Sequence, residues 1–376
     1  MHSPNTDNSP RQANLDSPEM VVREINRLVR DLHVHKPWIY WADLLLFTLV
    51  GQAAFLVYYR STALGWKLAG FFVTAFAVYR CSMFIHELQH LRAGTFRGFK
   101  VAWNLLCGIP YLIPQFTYGD HQGHHTNREY GTADDAEYLM IVQKPIQSAL
   151  YMLTRIFWLP PYWVLRFLVM TPVAWLNTAF REWVWKYPSR GPAVNLVRNF
   201  YLPSQRDEPY WRLQEFGCFV FLVGLTTLLA TGVIGWDYIW HVYVLSVFMI
   251  AVSHTRTITS HRFRNDGSEM TYHEQLLDST TIPGHLILTE LWCPIGLRYH
   301  ALHHISPSLP YHNLGIAHRR LMAELPPGTL YHATLRRGLW HAVSDVGRTI
   351  VRTARRRRKL EARRRRQLTF SAAARG

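Results

Sequence analysis

The sequence predicts an all-α integral membrane protein: four transmembrane helices in two hairpins, with a cytoplasmic helical cap holding a histidine-rich dimetal site. Three observations lead there. Four long apolar runs fall in two close pairs, basic residues gather on one side of those pairs, and eight of the 20 histidines lie in three tight clusters.

The first pair is residues 41–59, with Asp43 as its one charge, and residues 64–85, with Lys67 and Arg80 towards its ends. There the long basic stems can reach the headgroups. The second pair is residues 216–235, which carry no charge, and residues 238–253, which reach spanning length by starting at Trp236. A hydrocarbon core of about 30 Å needs about 20 helical residues, so these runs fit. They lack the polar face of a soluble amphipathic helix. Two other stretches, 101–116 and 149–176, are broken by Pro110 and Pro114 and by Pro160, Pro161 and Pro172. Arg155 and Arg166 lie inside the second. Proline interrupts the helical ladder and mid-bilayer arginine is expensive, so both are expected to be interfacial or re-entrant.

Each hairpin leaves and re-enters on one side. That side holds Arg23, Arg27, Arg30 and Lys36 before the first run, Arg92, Arg97 and Lys100 after the second, and Arg256, Arg262 and Arg264 after the fourth. Basic loops stay in the cytoplasm, so both termini and the metal site are expected there, in a bacterial inner membrane. Residues 1–36 read as a polar, disordered tail with a short basic segment, 37–325 as the membrane domain, and 326–376 as a basic tail. No signal peptide is visible.

Composition agrees. Hydrophobic residues make up 49% and charged residues 18%, below the roughly 25% of an ordinary globular domain. The 14 Trp, 19 Tyr and 19 Phe exclude general disorder. Four scattered cysteines without a CxxC spacing exclude a disulfide scaffold. Of the net charge of +16, ten units fall in residues 348–366, where eleven Arg or Lys face one acid, Glu361. Such a segment suits anionic headgroups, at about 1 kcal/mol per residue near the surface. Nucleic acid is not an expected partner.

The first histidine cluster is His86-Glu87-Leu88-Gln89-His90, just after the second run. Spacing i, i+4 puts both rings on one helix face. Alone, this segment also satisfies the HExxH pattern of zinc proteases, although Glu87 points about 100° away. The other clusters are His121-Gln122-Gly123-His124-His125 and His300-Ala301-Leu302-His303-His304, both HxxHH. Eight imidazoles exceed the four ligands of one tetrahedral site, which implies two metals. Imidazole suits iron, copper or zinc.

In this order, and placed after paired apolar runs, the three boxes resemble those of the membrane-bound fatty acid desaturase superfamily, from about residue 41 to about residue 325. The resemblance implies two iron ions on the cytosolic side, held by His86, His90, His121, His124, His125, His300, His303 and His304. It also implies a ninth histidine, for which 250–264 offers His254 and His261; His261 fits the family pattern better. Asp134 and Asp135 in the acidic segment 131–137, whose last residue is Glu137, are candidates to hold the ligating rings, as are Thr257, Asp266 and His312.

The expected activity is O2-dependent desaturation of an acyl-lipid or acyl-carrier chain. Hydroxylation or carotenoid ketolation by the same fold is the nearest alternative. A histidine-rich membrane metal transporter is the alternative from another class, and it would place histidines or charges inside the spans, unlike 216–235. Electrons are expected from a separate ferredoxin- or cytochrome b5-type donor, because no such module is evident in the chain.

Overall fold

The structure, a computed structural model, describes residues 17–92, 94–187, 194–196 and 208–373. It is all-helical, and among the described residues strand-like pairing is limited to two isolated bridges, His261 with Ser279 and Thr281 with Leu335. The helices are α1 (Pro18–Val29), α2 (Pro37–Arg60), α3 (Leu64–His90), α4 (Arg97–Trp103), α5 (His121–His124), α6 (Pro145–Val164), α7 (Thr171–Leu176) and α8 (Thr178–Lys186). They continue with α9 (Glu208–Ala230), α10 (Asp237–Ser260), α11 (Tyr272–Asp278), α12 (Leu286–Trp292), α13 (His300–Ile305), α14 (Tyr311–Glu324), α15 (Leu330–Ala333) and α16 (Leu339–Ala373).

Both expected hairpins are present, as α2–α3 and α9–α10. In the first, Gly70 lets the backbones meet: a Cβ there would lie 2.6 Å from the amide nitrogen of Tyr58 and 2.9 Å from the carbonyl of Ala54. Small residues allow this close approach between apolar helices. The outward faces stay apolar, with Leu49 69% and Leu56 60% exposed on α2 and Leu213 68% exposed on α9. Water-facing surfaces rarely show such a continuous apolar belt, and a bilayer supplies its natural solvent.

The stretch 101–116 does break up, into α4, a wide π turn at Asn104–Gly108 and a 3-10 turn at Gln115–Tyr118. The stretch 149–176 is instead continuous. Residues 165–170 form π turns that join α6 to α7, and Pro160 and Pro161 lie within α6. Counting it, five helices among the described residues are long and apolar enough to cross a membrane, one more than the two hairpins supply. Of its two arginines, buried Arg166 pairs with buried Glu215 of α9, which also accepts from Trp185 Nε1 at 3.1 Å. A buried cation is tolerated when so paired.

At the histidine-bearing end, α1 packs through Val21, Ile25 and Val29 onto a core that includes Leu302, Ile305 and Leu321. Residues 1–16, the polar part of the expected tail, lie outside the described residues. Helix α16 touches α6 and α10. Near its start, Asp345 gathers Arg336 at 2.7 Å, Arg348 at 3.4 Å and Arg264 at 3.8 Å.

Candidate metal centre

Four pieces of chain converge at that end. The last turns of α3 bring His86 and His90, α5 and the residue after it bring His121, His124 and His125, and α13 brings His300, His303 and His304. His261 follows α10 in extended backbone. Its segment is held by pairing: Arg262 N–H donates to the Asp278 carbonyl at 2.7 Å and Thr280 N–H to the Ser260 carbonyl at 2.9 Å.

The nine rings form two groups. His86, His90, His121, His125 and His303 make one, and His124, His261, His300 and His304 the other, with the donor atoms of each group within 4.8 Å of one another. In the first group Nε2 of His90 lies 3.0 Å from Nε2 of both His121 and His303, and Nε2 of His125 lies 3.1 Å from that of His121. In the second, Nε2 of His261 is 3.1 Å from that of His124 and 2.9 Å from that of His300. His254, the other ninth candidate, joins neither group, and its Nδ1 donates to the Met152 carbonyl at 2.9 Å.

These nitrogens do not simply hydrogen-bond to one another. A carboxylate can only accept, so Nδ1 of His124 donates to Asp135 at 2.7 Å and Nδ1 of His121 to Glu137 at 2.6 Å. The Tyr130 hydroxyl donates to Asp278 at 3.1 Å and accepts from Nδ1 of His261 at 2.7 Å. With protons fixed on Nδ1, the Nε2 atoms of His121, His124 and His261 are lone pairs pointing inward. Nε2 of His86 is also buried without a hydrogen-bond partner. Converging lone pairs need a cation between them. At imidazole–metal bonds of about 2.0–2.1 Å, two ligands at right angles sit roughly 2.9 Å apart, close to the observed spacings. The residues present therefore fit a metal pair.

Burial pushes His125, His261, His300, His303 and His304 well below the ordinary imidazole range, so they are neutral at pH 7 with a lone pair to give. Burial also pulls on His124, but the charge and hydrogen bond of Asp135 outweigh it and raise that ring.

Of the residues expected to hold the rings, Asp135 does so, and it also accepts from the amides of Gly131 at 2.9 Å and Glu137 at 2.8 Å. Glu137, two residues on, holds His121, and the Asp134 amide donates to the Thr132 hydroxyl at 3.2 Å. Thr257, Asp266 and His312 are not at the rings. The Thr257 hydroxyl donates to the Ser253 carbonyl, as threonines in helices commonly do, and Asp266 caps its own loop by accepting from Ser268. His312 accepts from the Lys36 amide at 3.3 Å. Tyr130 and Asp278 take the place expected for Thr257 and Asp266, and no spacing in the sequence marks them. Glu87 turns away from the rings to accept from the Tyr40 hydroxyl at 2.5 Å and the Tyr311 amide at 3.3 Å. It is therefore not placed as the base that a zinc-protease reading of HELQH requires.

Replacing Asp135 with Asn is expected to weaken metal binding roughly 10–100-fold, the usual cost of losing a partner that orients a ligating ring. Metal retained per chain against graded chelator measures it, and wild-type retention would remove Asp135 from this role.

A cavity of about 570 Å³ opens beside the first group, lined there by His86, His121, Tyr118 and Glu137. Its far end is apolar, with Phe55, Val242 and Leu245.

Residues 61–336 match the sequence model of the family described as Fatty acid desaturase. The chain is also similar to a ceramide hydroxylase of Caulobacter vibrioides (strain NA1000 / CB15N), with 33% identity over 335 residues that cover 88% of this chain and 94% of that protein. With the apolar hairpins and the two histidine groups, these similarities establish that the chain belongs to the fatty acid desaturase family of membrane oxidoreductases.

Proposed function

We propose that this protein is a di-iron membrane oxygenase that hydroxylates a chain of a ceramide-like lipid, with O2 as oxidant. Two electrons come from a separate ferredoxin- or cytochrome b5-type donor. One oxygen atom enters a C–H bond as hydroxyl, and the other leaves as water with two protons. The single observation behind this reading is the junction of nine imidazoles with one end of an apolar cavity. Similarity to a ceramide hydroxylase favours hydroxylation over the desaturation expected from the histidine boxes alone.

Desaturation is the second reading, supported by the family match. It consumes the same O2 and electrons, removes two hydrogens from adjacent carbons and releases two waters. Iron is preferred because an all-imidazole donor set with right-angle spacings suits it better than tetrahedral zinc. When bound, the iron pair supplies reductive activation of O2. Asp135, Glu137 and Tyr130 keep the imidazole tautomers that present Nε2 to it. The apolar walls seat the chain and exclude water. The basic residues on the histidine-bearing side support a cytoplasmic centre in a bacterial inner membrane, with α16 against anionic lipid.

The test is lipid mass spectrometry of cells expressing the protein with a competent donor. A ceramide species that gains one oxygen is the expected product. Loss of two hydrogens instead supports desaturation. Protein stripped of iron, or reloaded with zinc, is expected to give neither, and an unchanged lipid profile with iron-replete protein would overturn both readings.

A further inference from the structure

The cavity changes character along its length. On α10 its wall is apolar at Val242, Leu245 and Met249, then polar at Ser253, Arg256 and Thr257. Positions 242, 245, 249, 253 and 256 recur every three or four residues, with Thr257 beside the last, so they form one stripe facing the cavity. On α6 the wall begins with Arg155 and continues, at i+4 and i+8, with Leu159 and Trp163. Both stripes place a guanidinium at one end, which is also the end of the metal centre. Arg256 faces the hydroxyls of Tyr79 and Tyr118, and the Tyr118 ring stacks on His121 with centroids 4.9 Å apart.

Among the described residues neither arginine forms an ion pair with a carboxylate. Arg256 is 7% exposed, and the Nε atoms of both Arg155 and Arg256 are buried without a hydrogen-bond partner. A buried donor without an acceptor costs about 1–3 kcal/mol, so such donors are normally matched. Two carboxylates line the cavity, Asp120 and Glu137, and Glu137 is occupied: it accepts from His121 Nδ1 at 2.6 Å and from the Tyr118 hydroxyl at 2.7 Å. The cavity thus offers two cationic donors to whatever enters it, beside the irons and at the opposite end from the space for a hydrocarbon tail.

We infer that Arg155 and Arg256 seat the oxygen-bearing head of the lipid substrate, so that the carbon attacked lies within a few bonds of that head and not in mid-chain. The inference rests on the oxygenase reading above. The chemistry recognised is an oxygen acceptor, which an amide carbonyl, a carboxylate or a phosphate can supply. Depth of insertion follows from the same geometry: with the head fixed one aromatic ring from the first histidine group, chain length changes only how far the tail reaches towards Phe55.

The experiment uses the purified, iron-loaded full chain with its electron donor. It is presented separately with dihydroceramide, a free long-chain fatty acid, a phosphatidylethanolamine and an n-alkane of similar length, and tandem mass spectrometry locates the change. Modification on the first few carbons beside the head, with the alkane untouched, is the expected result; the preferred headed substrate identifies which acceptor is bound. Arg155→Met is expected to raise KM roughly tenfold, the scale of one hydrogen bond to a charged group, with kcat and bound iron less affected and Arg155→Lys recovering part of the loss. Mid-chain modification, turnover of the alkane, or an unchanged KM in Arg155→Met protein overturns the inference while leaving the oxygenase reading standing. No product from any substrate overturns the oxygenase reading and this inference with it.

Discussion

Replacing His303 with Ala is expected to abolish product while the protein stays in the membrane fraction. His303 sits at the middle of the first group, its Nε2 3.0 Å from that of His90 and 3.2 Å from that of His125. Removing it opens one metal position and leaves the second group, with His124, His261, His300 and His304, complete. On the di-iron reading, bound iron should fall from about two ions per chain towards one, because the first group loses a ligand while the second keeps all four. His124→Ala breaches the other group and is expected to be equally inactive. Full product formation by either variant, at wild-type protein level, would refute the assignment.

Asp278→Ala is the second large effect. The buried carboxylate accepts from the hydroxyls of Tyr130 and Tyr138 at 3.1 and 3.0 Å and from the Arg264 amide at 3.2 Å. Alanine would leave two buried tyrosine hydroxyls and an amide seeking acceptors. At about 1–3 kcal/mol for each unsatisfied group, the loss of stability is on the order of 3 kcal/mol or more. The Tyr130 hydroxyl would be freed to turn, and the tautomer of His261 with it, which adds a roughly 10–100-fold loss in metal affinity at the second group. Thermal unfolding in detergent reads the first effect and chelator titration the second. Asp278→Asn keeps the shape and one acceptor, so it should lie between. A variant Asp278→Ala as stable and as metal-replete as wild type would show that the tyrosine relay does no such holding.

The paired helices and the convergence of the histidines were legible because each has a periodic or clustered signature. Long uncharged runs have few alternatives, and imidazoles at i, i+3 and i+4 share a helix face. His261 was distinguishable from His254 only through the family pattern, because both sit in the same apolar-to-polar transition; in the structure the end of α10 sends His254 to a backbone carbonyl and His261 to the other rings. What holds the rings was less legible. Asp135 lies eleven residues beyond His124 and could be suspected from its acidic segment, whereas Asp278 reaches His261 through Tyr130, nearly 150 residues away in sequence. Such a relay depends on tertiary pairing between residues 260–262 and 278–280, for which no local spacing exists. The continuous helix through 145–176 escaped for a different reason. Pro160 and Pro161 argue for a break, but both lie within α6, and the Phe157 carbonyl that Pro161 leaves without an amide accepts instead from the Tyr243 hydroxyl of α10 at 3.2 Å.

The division of the histidines also has a consequence for biogenesis. Each group takes rings from residues 86–125 and from α13, and the second also takes His261, so neither can close until residues beyond 300 have left the ribosome. Metal loading of either group is therefore a late event, and until then the hairpins and the cap are joined by packing and by polar pairs such as Arg80 with Glu290 at 3.1 Å and Tyr311 with Asp43 at 2.9 Å. Metal that binds only the assembled state adds its binding energy to that state. Shortage of the bound metal would accordingly lower the stability of the assembled protein.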